Sequence, residues 1–224
     1  MSAHSEAKSN IDTVFRAFVE DSRFPCLAGK GVVNSEGYEL RVYESLGSAP
    51  STRTLSRDLT AFVRSTSADD ARLRAFVAVF PATAASDERA FEHDLWTQLQ
   101  ALHETDDSGA SWDPAVSDDP DDPRFSFSHA GCAWFVVGMH PRSSRLSRQF
   151  RWPTLVFNAH AQFEHLRATG RFERLQSVVR EREIVLQGAL NPNLADFGER
   201  SEARQYSGRA AEAEWKCPFH RRGP

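Results

Sequence analysis

Short apolar runs alternate with polar stretches along this chain, and two of the runs end against residues that do chemistry. The run 133–137 (AWFVV) is continuous and apolar, so it reads as a buried strand. It stops at Gly138 and gives way to His140, Arg142, Ser143, Ser144, Arg145 and Arg148. A second run, 153–157, leads into Asn158, His160, Glu164 and Arg167. Further strands are expected near 38–44, 73–80 and 124–129, with 124–129 and 132–138 forming a hairpin that turns at Ala130-Gly131.

Helical spacing of apolar residues predicts helices over 11–20, with Asn10 as N-cap, and over 52–65 after a loop at 47–51 that contains Pro50. A third follows Ser86, with Phe91, Leu95, Leu99 and Leu102 as its stripe and His93 and His103 in solvent. A short helix is expected at 161–167. On it His160, Glu164 and Arg167 stand at i, i+4 and i+7 and so share one face. The longest helix is expected at 171–187, with Phe172, Leu175, Val178, Val179, Val185 and Leu186 inward and Gly188 closing it. The segment around Phe24-Pro25-Cys26, Gly29 and Gly31 reads as a loop. The acidic stretch 104–122 has no periodicity and reads as a surface excursion, with Trp112 placed to fold back as a lid. Trp215 to Phe219 reads as a docked tail rather than a frayed one. The pattern predicts one α+β domain over 1–224, ordered over 10–219: a mainly antiparallel sheet of about five strands with packed helices.

Composition narrows the function. A net charge of −4 gives no electrostatic case for nucleic acid. No apolar run approaches the roughly 20 residues of a membrane-spanning helix. Three cysteines make no disulfide framework, and the polar start MSAHSEAKSN has no signal-peptide core, so a cytoplasmic protein is expected. Between 142 and 182 the cations are all Arg and never Lys, which favours bidentate recognition of carboxylate or phosphate. A hydrophobic core has no use for two histidines and a cluster of arginines. A site for an anion, a metal or a cofactor does.

Several ordered blocks resemble the YqcI/YcgG family. They are Phe24-Pro25-Cys26; Val137-Gly138-Met139-His140-Pro141 with Ser144, Arg145 and Arg148; and Pro153 through Asn158, His160, Gln162-Phe163-Glu164 and Leu166-Arg167. Leu186-Gln187-Gly188, Asn191-Pro192, Asp196-Phe197-Gly198, Ser201 through Gly208, and Trp215-Lys216-Cys217-Pro218-Phe219 complete the set. The region 45–122 carries little of the pattern. The resemblance implies a haem protein: members with assigned chemistry are haem-dependent N-hydroxylases acting on guanidino groups. It implies haem b, molecular oxygen, an electron donor and a small guanidine or amine substrate. No nucleic-acid or membrane partner is expected from the charge and hydropathy, and a homodimer is allowed.

Haem needs an axial iron ligand, cations for two propionates and an apolar slot. His160 is the preferred ligand, because a helix start would hold its ring and Glu164 lies one turn on. His140, in the Arg-rich loop, is the other histidine. Cys26 and Cys217 raise the rival of thiolate ligation, since each adjoins a proline. Arg142, Arg145 and Arg148 suit the propionates, with Ser144 and Asn158 beside them in the matching blocks. Glu164 and Glu202 are the carboxylates for a cationic substrate, and Tyr206 would orient oxygen or substrate. Two other classes stand beside the enzyme: a non-catalytic haem-binding sensor, and a haem-free binder of an anionic small ligand.

Overall fold

The computed structural model describes residues 3–66, 72–196 and 198–221. Phe197 of the Asp196-Phe197-Gly198 block and the last three residues of the basic tail fall outside them. The protein is α+β, as its sequence patterning implies. Five strands form one sheet: β1 (Tyr38–Val42), β2 (Ala75–Val79), β3 (Phe127–His129), β4 (Cys132–Met139) and β5 (Thr154–Ala159). Their order is β1-β2-β5-β4-β3. β1 and β2 run parallel, joined through helix α3 (Ala49–Ser65), as a parallel pair requires. The other pairings are antiparallel. The β3–β4 hairpin turns at Ala130-Gly131, where φ is +54° and +72°, the left-handed pair that matches strand twist.

Strand alternation sorts the core into two layers. Phe76, Trp134, Val136 and Phe157 face α3 and α4 (Glu88–Glu104), together with Phe219 from the C-terminal tail. Val77, Val79 and Met139 face the other way and pack with Ile11, Phe15 and Val19 of α1 (Ala3–Glu20) and Val33 of α2 (Leu27–Asn34). The same face receives α5 (His160–Ala168) and α6 (Phe172–Gln187); the single turn α7 (Ala203–Tyr206) follows, with Ala203 and Tyr206 buried in the α4-side layer.

Several elements depart from the sequence expectation. α2 forms where a loop is expected: Cys26 caps it by accepting the Gly29 amide at 3.3 Å, and burial of Val32 and Val33 outweighs the cost of two glycines. α1 starts before Asn10, which sits inside the helix. α3 starts at Ala49 because Ser48 caps it and Pro50 fits the first turn, where its missing N–H costs nothing. Asp87, not Ser86, caps α4. α6 is shorter than α1, and none of its apolar residues is fully buried; Val185 is 87% exposed. His103 is not solvated but lies between the Trp112 and Phe219 rings.

The acidic excursion docks onto the far layer of the core. Asp106 and Asp113 accept the backbone N–H of Ala130 and Ala133 at 2.8 and 2.9 Å, and Trp112 packs on Phe125 and Phe219. Trp112 does fold back, but against the core beneath α4 rather than over the cavity described below, so the lid expectation fails.

Gly31 gives a simple test of α2. It is exposed, sits within the helix, and a Cβ there would meet nothing within 4 Å. Gly31→Ala is expected to stabilise the protein by roughly 0.5–1 kcal/mol and to raise Tm by roughly 1–4 °C. A thermal melt showing a lower Tm would mean that this segment is not helical.

Candidate functional site

A cavity of about 380 Å³ opens between the sheet and the helices α1, α2, α5 and α6, and apolar side chains dominate its lining. That volume falls in the range of about 300–1,000 Å³ usual for small-molecule and cofactor sites. Val77, Val137, Met139 and Val156 form the sheet side; Phe15, Val19, Phe24 and Val33 come from the first two helices and the segment between them. The opposite side is α6, whose single buried residue is a carboxylate, Glu183. Its Phe172 and Val179 face the cavity half-exposed. An amphipathic helix ordinarily buries its apolar stripe in packed core. Here the stripe borders open space, so the wall is shaped for an apolar occupant.

Polar groups enter this space at a few points: Cys26, Arg145, Arg148, Asn158, His160 and Glu202 all line it. Cys26 sits at the N-terminus of α2 with its Sγ held by the Gly29 amide. Burial raises its thiol pKa, while the Gly29 and Ala28 amides and the Arg148 charge oppose that rise. His160 opens α5 and is 4% exposed; burial lowers its pKa and the Glu164 carboxylate works against that shift. The neutral ring meets Glu164 through Nε2 at 3.2 Å. An Nε2–H donated to that carboxylate leaves Nδ1 with the lone pair, the arrangement by which carboxylates orient ligating histidines. Glu164 also pairs with Arg167, so the shared face expected of α5 is present.

The two cavity arginines differ. Arg145 is buried and ion-paired to Glu183 at 2.5 Å, with a further bond to the Ala189 carbonyl. Arg148 donates to the carbonyls of Gly138 and Tyr206 at 3.3 and 3.0 Å. Burial brings its pKa down to about 10, so it remains a cation at neutral pH, and it is the better placed to meet an anionic group of a ligand. Gly208 is required beside it: φ is +82°, and a Cβ there would lie 2.7 Å from Arg148 Cδ. Asn158 Nδ2 donates to the Phe135 carbonyl, which fixes its side chain at the cavity wall.

Other expected site residues lie elsewhere. β4 continues past Gly138 to Met139, so His140 falls on the opposite side of the sheet from Val137 and Met139. There it stacks on Phe91 at 4.3 Å, and burial pushes its pKa down to about 4. Cys217 joins the α4-side core with Phe219, its thiol pushed up to about 12 by burial, so it does not reach the cavity. Arg142 is exposed, and Ser144 is bonded to Glu88 through both its N–H and its hydroxyl. Glu164 is half-exposed outside the cavity wall, bonded to His160 and Arg167. Tyr206 is fully buried, and its hydroxyl touches Glu202, Phe127 and Trp134 rather than the cavity.

Ser126 belongs to the site and is missed by sequence reasoning. Its hydroxyl donates to Glu202 Oε1 at 2.7 Å. In the run FSFSH, alternating serines signal a strand with one wet face, yet Ser126 and Ser128 are both buried. Ser56, His129 and Asp106 have the order of a nucleophile triad, with Ser56 Oγ 3.2 Å from Nε2 and Asp106 Oδ2 3.5 Å from Nδ1. Ser56 is 3% exposed inside α3, away from the cavity, so the group ties α3 to the hairpin and offers no access to a substrate. Among the described residues no cluster of three or more His, Cys, Asp and Glu side chains is arranged to hold a metal ion.

The fold is α+β, and its main cavity lies between one sheet face and a partly open helical wall. The model of the YqcI/YcgG family matches residues 15–220, and the chain belongs to that family. No curated protein and no solved structure matches the sequence.

Proposed function

We propose that the cavity holds haem b and that the protein is a haem-dependent oxygenase, N-hydroxylating a guanidino or amino group of a small molecule. The observation that carries the reading is the half-buried apolar stripe of α6 facing an apolar cavity whose polar edge includes His160, Cys26 and Arg148. A flat apolar macrocycle with one metal and two carboxylates calls for that combination. Bound there, haem would supply the redox-active iron for an O2-dependent hydroxylation that consumes two external electrons and two protons and yields water beside the hydroxylated nitrogen.

The chain's own residues have separate tasks. His160 would hold the iron, with Glu164 holding the tautomer of its ring. Arg148 would hold a propionate. The valines of the sheet and Phe172 and Val179 of α6 exclude water from the ring. One observation favours a second ligand: Cys26 Sγ already accepts an amide at a helix N-terminus, an interaction that works against the rise burial gives its pKa. The ferrous–CO spectrum separates the two, a long-wavelength band marking thiolate.

Arg148→Ala tests the propionate role. Loss of a charge-assisted hydrogen bond, roughly 1.5–3 kcal/mol, is expected to speed haem transfer to an acceptor protein by about ten- to a hundredfold. Transfer at the unaltered rate would remove Arg148 from the site.

A further inference from the structure

Glu202 stands on the cavity wall, 7% exposed, with no ion pair among the described residues. Its Oε1 lies 2.7 Å from Ser126 Oγ and 2.7 Å from Tyr206 Oη. Tyr206 Oη also accepts the Phe127 N–H at 3.1 Å and lies 3.0 Å from the Trp134 carbonyl oxygen. Phe127 and Trp134 are register partners across β3 and β4, so the phenol stands between a ladder donor and a ladder acceptor.

The protons can be counted. A phenol has one hydrogen, and a carbonyl can only accept. If Glu202 were ionised, Tyr206 would have to serve both Oε1 and the Trp134 carbonyl with that single hydrogen, leaving one short oxygen–oxygen contact with no proton in it. If Oε1 carries a proton, it donates to Tyr206, Tyr206 donates to Trp134, and Ser126 donates to Oε1, so each contact holds one hydrogen. Oε2 has no hydrogen-bond partner among the described residues.

We infer that Glu202 is the cavity's cation-recognition residue, held as a neutral acid by its burial, with its proton shared into the Tyr206 contact, until a guanidinium or ammonium ligand displaces that proton. The inference rests on the proposed function for the ligand class and adds how that class is selected. The exchange balances: the acid and a cation give a carboxylate–cation pair and one proton released to water. The Tyr206 hydrogen then turns from Trp134 to Oε1, and no side chain has to move. A neutral ligand of the same shape cannot take the place of the lost proton's charge, so it is rejected.

The groups bearing on Glu202 are Ser126 from the stretch before β3, Tyr206 from α7 and, at longer range, Arg167 from α5. Arg204, nearby in the chain, is engaged with the carbonyls of Glu212, Ala213 and Trp215. Burial outweighs the two hydrogen bonds and Arg167, and it raises the Glu202 pKa to about 7. A bound cation lowers that pKa. Binding below neutrality therefore releases a proton, and affinity rises with pH until Glu202 is ionised without help.

The full chain, purified with haem, is titrated with arginine and with methylguanidine in weak buffer. About one proton per ligand is expected near pH 6, with affinity rising roughly tenfold per pH unit below about pH 7 and levelling above. In Glu202→Gln, whose amide N–H can still donate to Tyr206, proton release should vanish and the slope flatten. Infrared spectra of the wild type should show a neutral-acid carbonyl band that the variant lacks and that the ligand abolishes. Guanidine binding without proton release, or identical carbonyl regions in wild type and variant, overturns the inference and leaves the oxygenase reading standing. Proton-coupled binding in a chain that takes up no haem supports the inference and sinks that reading. No cation binding at any pH overturns both.

Discussion

His160→Ala, expressed with a haem precursor, is expected to lose haem or hold it in a ligand-exchangeable form, with occupancy down about tenfold or more. The imidazole is 96% covered and lines the cavity, so removing it leaves a void in the cavity wall rather than a solvent-filled surface notch. Added imidazole has the volume and the nitrogen to occupy that void, and it should restore part of the Soret band. His140→Ala should keep haem, because His140 stacks on Phe91 on the other side of the sheet. Cys217→Ala should leave the ferrous–CO band unmoved, since Cys217 is packed into the α4-side core. If Cys26→Ala alone abolishes a long-wavelength CO band, the iron is held by the Cys26 thiolate and not by His160. Full haem retention in both the His160 and the Cys26 variants would empty the cavity of its proposed role.

The second large effect concerns Gly138, where β4 passes beneath α4. A Cβ there would lie 2.7 Å from Phe91 Cε1, 2.8 Å from Leu95 Cδ1 and 2.8 Å from the Tyr206 carbonyl oxygen. Two of these atoms belong to a packed core and the third is backbone, so none can yield freely. Overpacking of this kind costs typically about 1–3 kcal/mol. Gly138→Ala should therefore lower Tm by roughly 2–12 °C in a chain of this size. The damage should extend to the site, because Arg148 bonds both the Gly138 and the Tyr206 carbonyls. A thermal melt and haem-transfer rate both matching wild type would show that the strand has slack that its packing does not suggest.

Much of the fold was legible because β-alternation and helix stripes are local. The run LRAFVAVF announced β2, Ala130-Gly131 announced the hairpin, and the residues 160, 164 and 167 announced the interacting face of α5. Strand order was not legible, since the insertion of β5 between β2 and β4 depends on pairing between segments far apart in the chain. α2 was hidden by two glycines within eight residues, whose low propensity is overridden by the burial of Val32 and Val33.

The site was partly readable for the same reason. Cys26, Arg145, Arg148, Asn158, His160 and Glu202 all reach the cavity. His140 departs from the expectation because β4 runs past Gly138 to Met139. Carried one residue further, the parity of Phe135, Val137 and Met139 puts His140 on the other face. Glu202 reads from sequence as a carboxylate for a cation, but its hydrogen bonds to Ser126 and Tyr206, 76 and 4 positions away, come together only in the fold.

The most direct test is an absorption spectrum of the full chain from haem-replete cells, with haem content measured per chain. The account predicts a Soret band, about one haem per chain, and displacement of solvent from the α6 wall, seen as slowed hydrogen exchange over α6 when haem is added to the apoprotein. A folded chain with no Soret band, and with α6 exchange unchanged by haem, would contradict it.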